Sequence, residues 1–460
     1  MQTYLFYDIE STGLNKAFDQ VLHFAAIRTD LSLKELKRYE LKIKLNPDII
    51  PSPAALLTHK MGIHEILKEG IGEFEAITKI HQWLNEPGTI SLGYNTLGFD
   101  DEFLRFSFYR NLLKPYTHQF ANRCGRMDIF PMTVMFFLFK KNSLTWPEKE
   151  GQVSLKLEDI NTANQFSQGN AHNAMTDVEI TLALAKRLWQ EKEMWQYLSG
   201  YFKKEIDHER MQPLQQDIAL LISNKLGKKN SFQSPVLFLG NHCRYKKSVW
   251  LRLDTETLTE TTLDSIPEKT ESIHKKTGEP NFILPMKERF LTHLNPDRLK
   301  KAEENKAWLA KHPDIFAAIK HYHLNYLYPS FPNVDMEASL YTKDFFTPEE
   351  ELFCRRFHEA STHEKIRLAE HTQNIRLHTL ALRILGKNYR DALPKKLLEQ
   401  FAEYLTFLNT TDEEKIPIDY KGQKRLTKTG VMNEIALLES TSNLGIKENQ
   451  LLQELRDYIL

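Results

Sequence analysis

Apolar and polar positions divide the 460-residue chain into three stretches with different rhythms. Residues 3–9 (TYLFYDI) are β-branched and aromatic and predict a strand; 21–29 and 39–45 predict further strands of the same sheet. Over 73–85 the apolar positions Phe74, Ile77, Ile80, Trp83 and Leu84 follow helical spacing. TISLGYN at 89–95 predicts a short buried strand, and 99–112 a helix. In 172–190, Ala174, Val178, Leu182, Ala185 and Leu188 share one face of a strong helix. Strands followed by mixed helices and strands predict an α/β first domain ending near 190–200.

From about 200 to 333 the pattern changes to short β-like pieces, PVLFLG (235–240) and SVWLRL (248–253), broken by basic patches at 225–229 and 244–247. The basic surplus there is small, and a solvated face accounts for it. From about 334 onward the rhythm is helical. Thr347-Pro348-Glu349-Glu350 reads as a helix start, with a capping threonine, proline at the first position and early acids.

Composition narrows the class. Hydrophobic residues make up 41% and charged residues 27%, as in a soluble protein with real cores, and length predicts two to four domains. No run of about 18 apolar residues predicts a membrane span, and the first residues do not read as a secretory signal. Cys124, Cys243 and Cys354 lie far apart and fit no zinc spacing, which points to a reducing cytoplasm. The net charge of zero argues mildly against a protein coated in positive charge, but leaves room for a local basic groove.

The candidate chemistry lies in acids. Asp8 and Glu10 stand at i and i+2 at the end of the first strand, so both carboxylates face one side. Two such acids held together are costly unless a cation neutralises them. The glycine-bearing turn that follows, Ser11-Thr12-Gly13-Leu14, could bring backbone N–H groups to a ligand. Asp100, Asp101 and Glu102 open the next helix; favourable placement at a helix N-terminus is an adequate account of Asp101 and Glu102. His172 and Asp177, five residues apart, do not share a helix face, but can reach one site if His172 precedes the helix. A lone histidine is more often structural. Acids from separate segments suit two-metal phosphodiester hydrolysis, with Mg²⁺ on carboxylate oxygens and a neutral imidazole taking the proton of water.

The order D-x-E-x-T-G (8–13), Y-N-x-x-x-F-D (94–100) and H-x-x-x-x-D (172–177) resembles the DEDDh exonuclease superfamily. Longer strings resemble its bacterial exonuclease I branch: FAAIRTD at 24–30, LGYN at 92–95 with FDDE at 99–102, FYRN at 108–111, NAH at 170–172, and NVD at 333–335 with later LY and FF pairs. The resemblance implies that Asp8, Glu10, Asp100 and Asp177 hold two Mg²⁺ ions, with Mn²⁺ as a possible substitute, and that His172 is the general base. It places Thr12 in a turn at the terminal nucleotide, beside Glu10. Lys156 stands where the family is expected to carry arginine near the substrate; lysine keeps the charge but loses the bidentate fork.

The implied architecture is an RNase H-like α/β exonuclease domain (1–195), an SH3-like β-barrel-containing domain (196–333) and an all-α C-terminal domain (334–460), forming a clamp on one DNA strand. The implied activity is 3′→5′ hydrolysis of single-stranded DNA to mononucleotides. The implied partners are single-stranded DNA and the acidic C-terminal tail of single-stranded DNA-binding protein; the family is monomeric. Residues 254–330 depart from the family pattern, so the second domain's DNA contacts are open. Trp250, Tyr245, Phe282 and Tyr326 are stacking candidates, with burial in a core as the plainer fate of each. Two alternatives are a DEDDh ribonuclease or proofreading nuclease, and a non-catalytic single-strand-binding clamp that recruits repair proteins.

Overall fold

In a computed structural model, residues 1–167, 173–441 and 443–460 are described. Five strands form the first sheet: β1 (Thr3–Ser11), β2 (Val21–Thr29), β3 (Glu35–Lys42), β4 (Thr89–Leu92) and β5 (Gly125–Arg126), in the order β3-β2-β1-β4-β5. β1 pairs antiparallel with β2 and parallel with β4. The β4 pairing ends at Leu92 opposite Phe6, so the last residues of β1 run on beyond it.

Alternation along β1 separates two cores. Leu5, Tyr7 and Ile9 pack with the helices Glu73–Asn85 and Asp100–Arg110. Tyr4 and Phe6 pack with the helices Ile129–Phe139 and Ala174–Trp189. Asp8 and Glu10 continue the second series toward the start of Ala174–Trp189. All five apolar positions predicted for that helix are buried. The third strand is displaced from its predicted 39–45. It is an edge strand in which Tyr39 alone is buried and the one apolar residue of its first half, Leu36, is exposed, so that half carries no alternating apolar pattern.

A small hairpin, β6 (Glu148–Lys149) and β7 (Gln152–Val153), precedes the second sheet. That sheet contains β8 (Ile218–Ile222), β9 (Gln233–Asn241), β10 (Ser248–Arg252), β11 (Ser272–Lys275) and β12 (Phe282–Pro285), antiparallel in the order β11-β10-β9-β8-β12. Leu237, Leu239, Val249 and Leu251 pack against the helices Pro296–Lys311 and Pro313–Asn325, which the sequence pattern did not predict. The first of these is strongly polar, and only Ala302, Asn305 and Leu309 are buried in it. Leu220, Ile222, Phe282 and Leu284 join the same core as Phe6 and Val178, so the two sheets share one apolar interior.

The C-terminal region is helical, as predicted. Thr347 and Glu350 close a capping box at the head of Pro348–Glu359. The predicted helical run 364–386 is broken near 372–374, where Asn374 caps a new helix by accepting from the Leu377 N–H. This region packs on the first domain through Phe357, Leu380 and Phe401 against Phe74, Phe106 and Tyr109, and through Val431, Leu452 and Leu455 against Leu22, Leu45 and Leu56. Among the described residues, no helix is long and apolar enough to cross a membrane.

Candidate functional site

The site forms where β1 outruns β4. Asp8 and Glu10 project from its end, and Asp177 lies in the first turn of Ala174–Trp189, whose cap Asn173 accepts from the N–H groups of Met175 and Thr176. Ligand oxygens of Asp8, Glu10 and Asp177 all lie within 4.8 Å of one another. The fourth acid enters from the segment after β4. Asp100 is 5% exposed, and its Oδ1 accepts the Ile9 N–H at 3.2 Å.

Local sequence explains this approach. A Cβ on Gly93 would stand 2.4 Å from the Tyr7 carbonyl oxygen and 2.3 Å from Thr96 Cγ2, so only glycine lets the chain turn against β1 here. The turn is then held by Asp128, whose carboxylate accepts from the N–H groups of Asn95 (2.8 Å), Leu97 (3.1 Å) and Phe130 (3.0 Å). Asp128 was not among the predicted site residues. Its signal was its place just before the apolar helix Ile129–Phe139, as an N-cap.

The electrostatics favour a cation. Burial, then the charges of Asp100, Glu10 and Asp177, push the Asp8 carboxyl well above its ordinary range. Burial, then Asp177 and Asp100, push Glu10 up to about 8. Burial also raises Asp100 to about 8, against the pull of backbone N–H groups including that of Ile9. Each acid makes its neighbours harder to ionise, and a divalent ion would reverse that. The donor set is all carboxylate oxygen, which suits a hard divalent cation.

The other predicted residues fall in different places. His172 lies outside the described residues. The Thr12 side chain is fully buried: its hydroxyl donates to Asp19 Oδ1 at 2.8 Å and accepts the Gln20 N–H at 2.9 Å. The exposed residue of that turn is Leu14, at 82%. Lys156 precedes the helix Leu157–Asn164 with its side chain 75% exposed, 3.8 Å from Glu158. The carbonyl of its neighbour Leu155 accepts from Tyr94, which ties this segment to the turn before Asp100.

Asp101 and Glu102 do more than favour a helix end. Asp101 is completely buried among Arg105 (2.5 Å), Arg126 (2.6 Å) and His118 (2.8 Å). Burial alone would raise its carboxyl, but the Arg105 and Arg126 charges, with the His118 hydrogen bond, hold it well below the usual range. Arg126 also reaches Glu279 beside the second sheet at 2.7 Å. Glu102 pairs with Lys16 at 2.7 Å and accepts from the Tyr420 hydroxyl at 3.0 Å. Of the stacking candidates, Trp250 and Phe282 are core residues, whereas Tyr326 is exposed and Tyr245 packs its ring 5.2 Å from Tyr328.

Comparison with known proteins places the chain beside exonucleases. Residues 5–185 match the family model described as RNase_T exonuclease. The chain is 31% identical over 304 residues to exodeoxyribonuclease I of Escherichia coli strain K12, an alignment covering 64% of this chain and 62% of that protein. The chain therefore spans less than two thirds of that relative. The crystal structure of E. coli exonuclease I in complex with a dA16 oligonucleotide superposes with a TM-score of 0.87 at 22% identity, covering 100% of both chains. A crystal structure of SSB/exonuclease I in complex with an inhibitor superposes with a TM-score of 0.83 at 22% identity, over 100% of this chain and 99% of that one. At these identities the superpositions establish the fold.

Proposed function

We propose that this chain, which belongs to the exonuclease family through residues 5–185, hydrolyses single-stranded DNA from the 3′ end to nucleoside 5′-monophosphates. The observation that carries this reading is the convergence of the Asp8, Glu10 and Asp177 carboxylates within 4.8 Å, beside buried Asp100. Mg²⁺ ions bound there, or Mn²⁺ in their place, would supply Lewis-acid stabilisation of the attacking and leaving oxygens.

The protein's own groups do the rest. Asp8, Glu10, Asp100 and Asp177 offer the carboxylate oxygens that would hold such ions. His172, five residues before Asp177 in the sequence, takes the proton of the attacking water at its ring nitrogen, then passes it to solvent. Lys156, exposed next to the segment tied to Tyr94, offers an ammonium to a substrate phosphate. Thr12 serves the site by bracing the turn after Glu10. The likeness to relatives solved with a dA16 oligonucleotide and as SSB/exonuclease I supports single-stranded DNA as substrate and a single-strand-binding protein as partner; docking through that partner's acidic tail and a cytoplasmic, monomeric chain are the further parts of the proposal.

The test is a time course on 5′-labelled single-stranded DNA with Mg²⁺ or EDTA, beside a duplex control. A ladder shrinking from the 3′ end, on single strands and with Mg²⁺ only, is the expected result. DNA binding without degradation would overturn the assignment in favour of a non-catalytic clamp.

A further inference from the structure

Past Leu92 the sheet no longer sets the distance between the end of β1 and the Asp100 helix, yet both must present acids to one centre. A second set of contacts spans the gap. Lys16, in the turn after Glu10, donates to the Gly98 carbonyl and to Glu102 Oε2, each at 2.7 Å. Glu102 lies in the same first turn of helix as Asp100, and its Oε1 accepts the Tyr420 hydroxyl at 3.0 Å. The Tyr420 ring stacks on Phe106, one turn further along, with centroids 5.5 Å apart.

The residue before Tyr420 grips the other segment. Asp419 is 2% exposed, and its Oδ2 accepts from Asn15 Nδ2 at 3.1 Å. Its Oδ1 accepts from the N–H groups of Lys421 (2.7 Å) and Gln423 (2.9 Å), which stiffens the loop. Gly422, with φ +75°, lies so close to Phe331 that a Cβ would come within 2.5 Å of its ring. Two adjacent residues of the C-terminal region thus hold the two acid-bearing segments, one each.

We propose that the loop around Asp419 and Tyr420 is a positioning element for the metal centre, acting through Lys16 and Glu102 to set Asp100 against Asp8 and Glu10. This rests on the exonuclease reading above. Ordinary domain packing would explain the contacts, but would not predict an effect on metal affinity. Partners beyond the direct ligands commonly set it, and their loss costs about 10–100-fold.

The test compares the full chain with Tyr420→Phe and Lys16→Met. Tyr404→Phe serves as a control, since its hydroxyl bonds Asp48 in the same inter-region contact, away from the clasp. Mn²⁺ binding is measured by calorimetry, single-strand affinity in EDTA, and cleavage as a function of Mg²⁺. The expected result is about 10-fold weaker Mn²⁺ binding and a matching rise in half-saturating Mg²⁺ in both clasp variants. DNA affinity in EDTA and cleavage at saturating Mg²⁺ stay near wild type, and the control is unchanged throughout. Wild-type Mn²⁺ affinity in both clasp variants would overturn the proposal. So would weakened DNA binding with unchanged metal affinity, which would make Lys16 a substrate contact. If the unsubstituted chain binds Mn²⁺ but cleaves nothing, the exonuclease reading fails while the Mn²⁺ comparison still decides this one.

Discussion

The Ile9 N–H donates to the Asp100 carboxylate at 3.2 Å, just beyond the point where β4 leaves that edge of β1 unpaired. One side chain thus satisfies a buried strand edge and sets a fourth acid beside Asp8, Glu10 and Asp177. Its two duties can be separated. Asp100→Asn keeps an acceptor for Ile9 and removes a charge from a crowded site; Asp100→Ala removes both. Both variants should lose cleavage. Only the alanine variant should also melt lower, by an amount corresponding to about 1–3 kcal/mol for an unsatisfied buried N–H. Thermal melts in EDTA beside the labelled-DNA assay check this, and cleavage by either variant would remove Asp100 from the centre.

His172→Ala should slow cleavage by about 10²–10⁴-fold, the usual loss for a general base. Mn²⁺ affinity should stay unchanged, because the four carboxylates remain. Single-turnover rates with calorimetry on the same samples make the comparison. Weakened Mn²⁺ binding would recast the histidine as a ligand.

Asp101 should behave as a structural acid despite its place beside Asp100. Asp101→Asn leaves Arg105 and Arg126 without their buried counter-charge, at a cost of about 3–5 kcal/mol. Urea unfolding reports that cost. Metal binding by the variant that remains folded should match wild type.

Metal should stabilise the fold. An ion that binds only the native state at 100 times its dissociation constant adds about 2.7 kcal/mol. The melting temperature should rise with Mn²⁺ and return with EDTA. The rise should vanish in Asp8→Ala, where a persisting shift would place the ion elsewhere.

Acid should loosen the tie between the two sheets. Burial alone would raise the Glu279 carboxyl, but Arg126, Lys276 and Arg105 bring it down to about 2. A carboxyl depressed on folding contributes stability above its ordinary pKa, and that contribution fades as pH falls toward about 2. Between roughly pH 4.5 and 2 the wild type should therefore lose more stability than Glu279→Gln, as read by urea midpoints at each pH. Parallel pH profiles would exclude this carboxylate as the source.

Much of the centre was legible because its chemistry is local. D-x-E on a strand puts two acids on one face whatever surrounds them, and the helix carrying Asp177 announced itself through an unbroken apolar stripe. What stayed hidden depends on distant partners. Asp101 reads like any helix-start acid until Arg105, Arg126 and His118 arrive. Tyr420 lies 318 residues from Glu102, with no periodicity to link them. The helices Pro296–Lys311 and Pro313–Asn325 escaped because the first covers the sheet with few apolar side chains. The resemblance placed Thr12 in a turn at the terminal nucleotide; that its hydroxyl donates to Asp19, seven residues on, is a contact no spacing rule shows.

The junction near residue 334 separates two composition patterns, yet Asp48 of the first domain sits fully buried 2.9 Å from Lys387, which also binds Glu337 at 2.7 Å. These charges were removed from water together, and each is tolerable only while the others stay. A chimera that exchanges the helical region for a relative's would therefore inherit orphaned ions along its seam. To succeed, the graft must carry Asp48 and its surroundings with it, so the natural unit of exchange crosses the domain boundary.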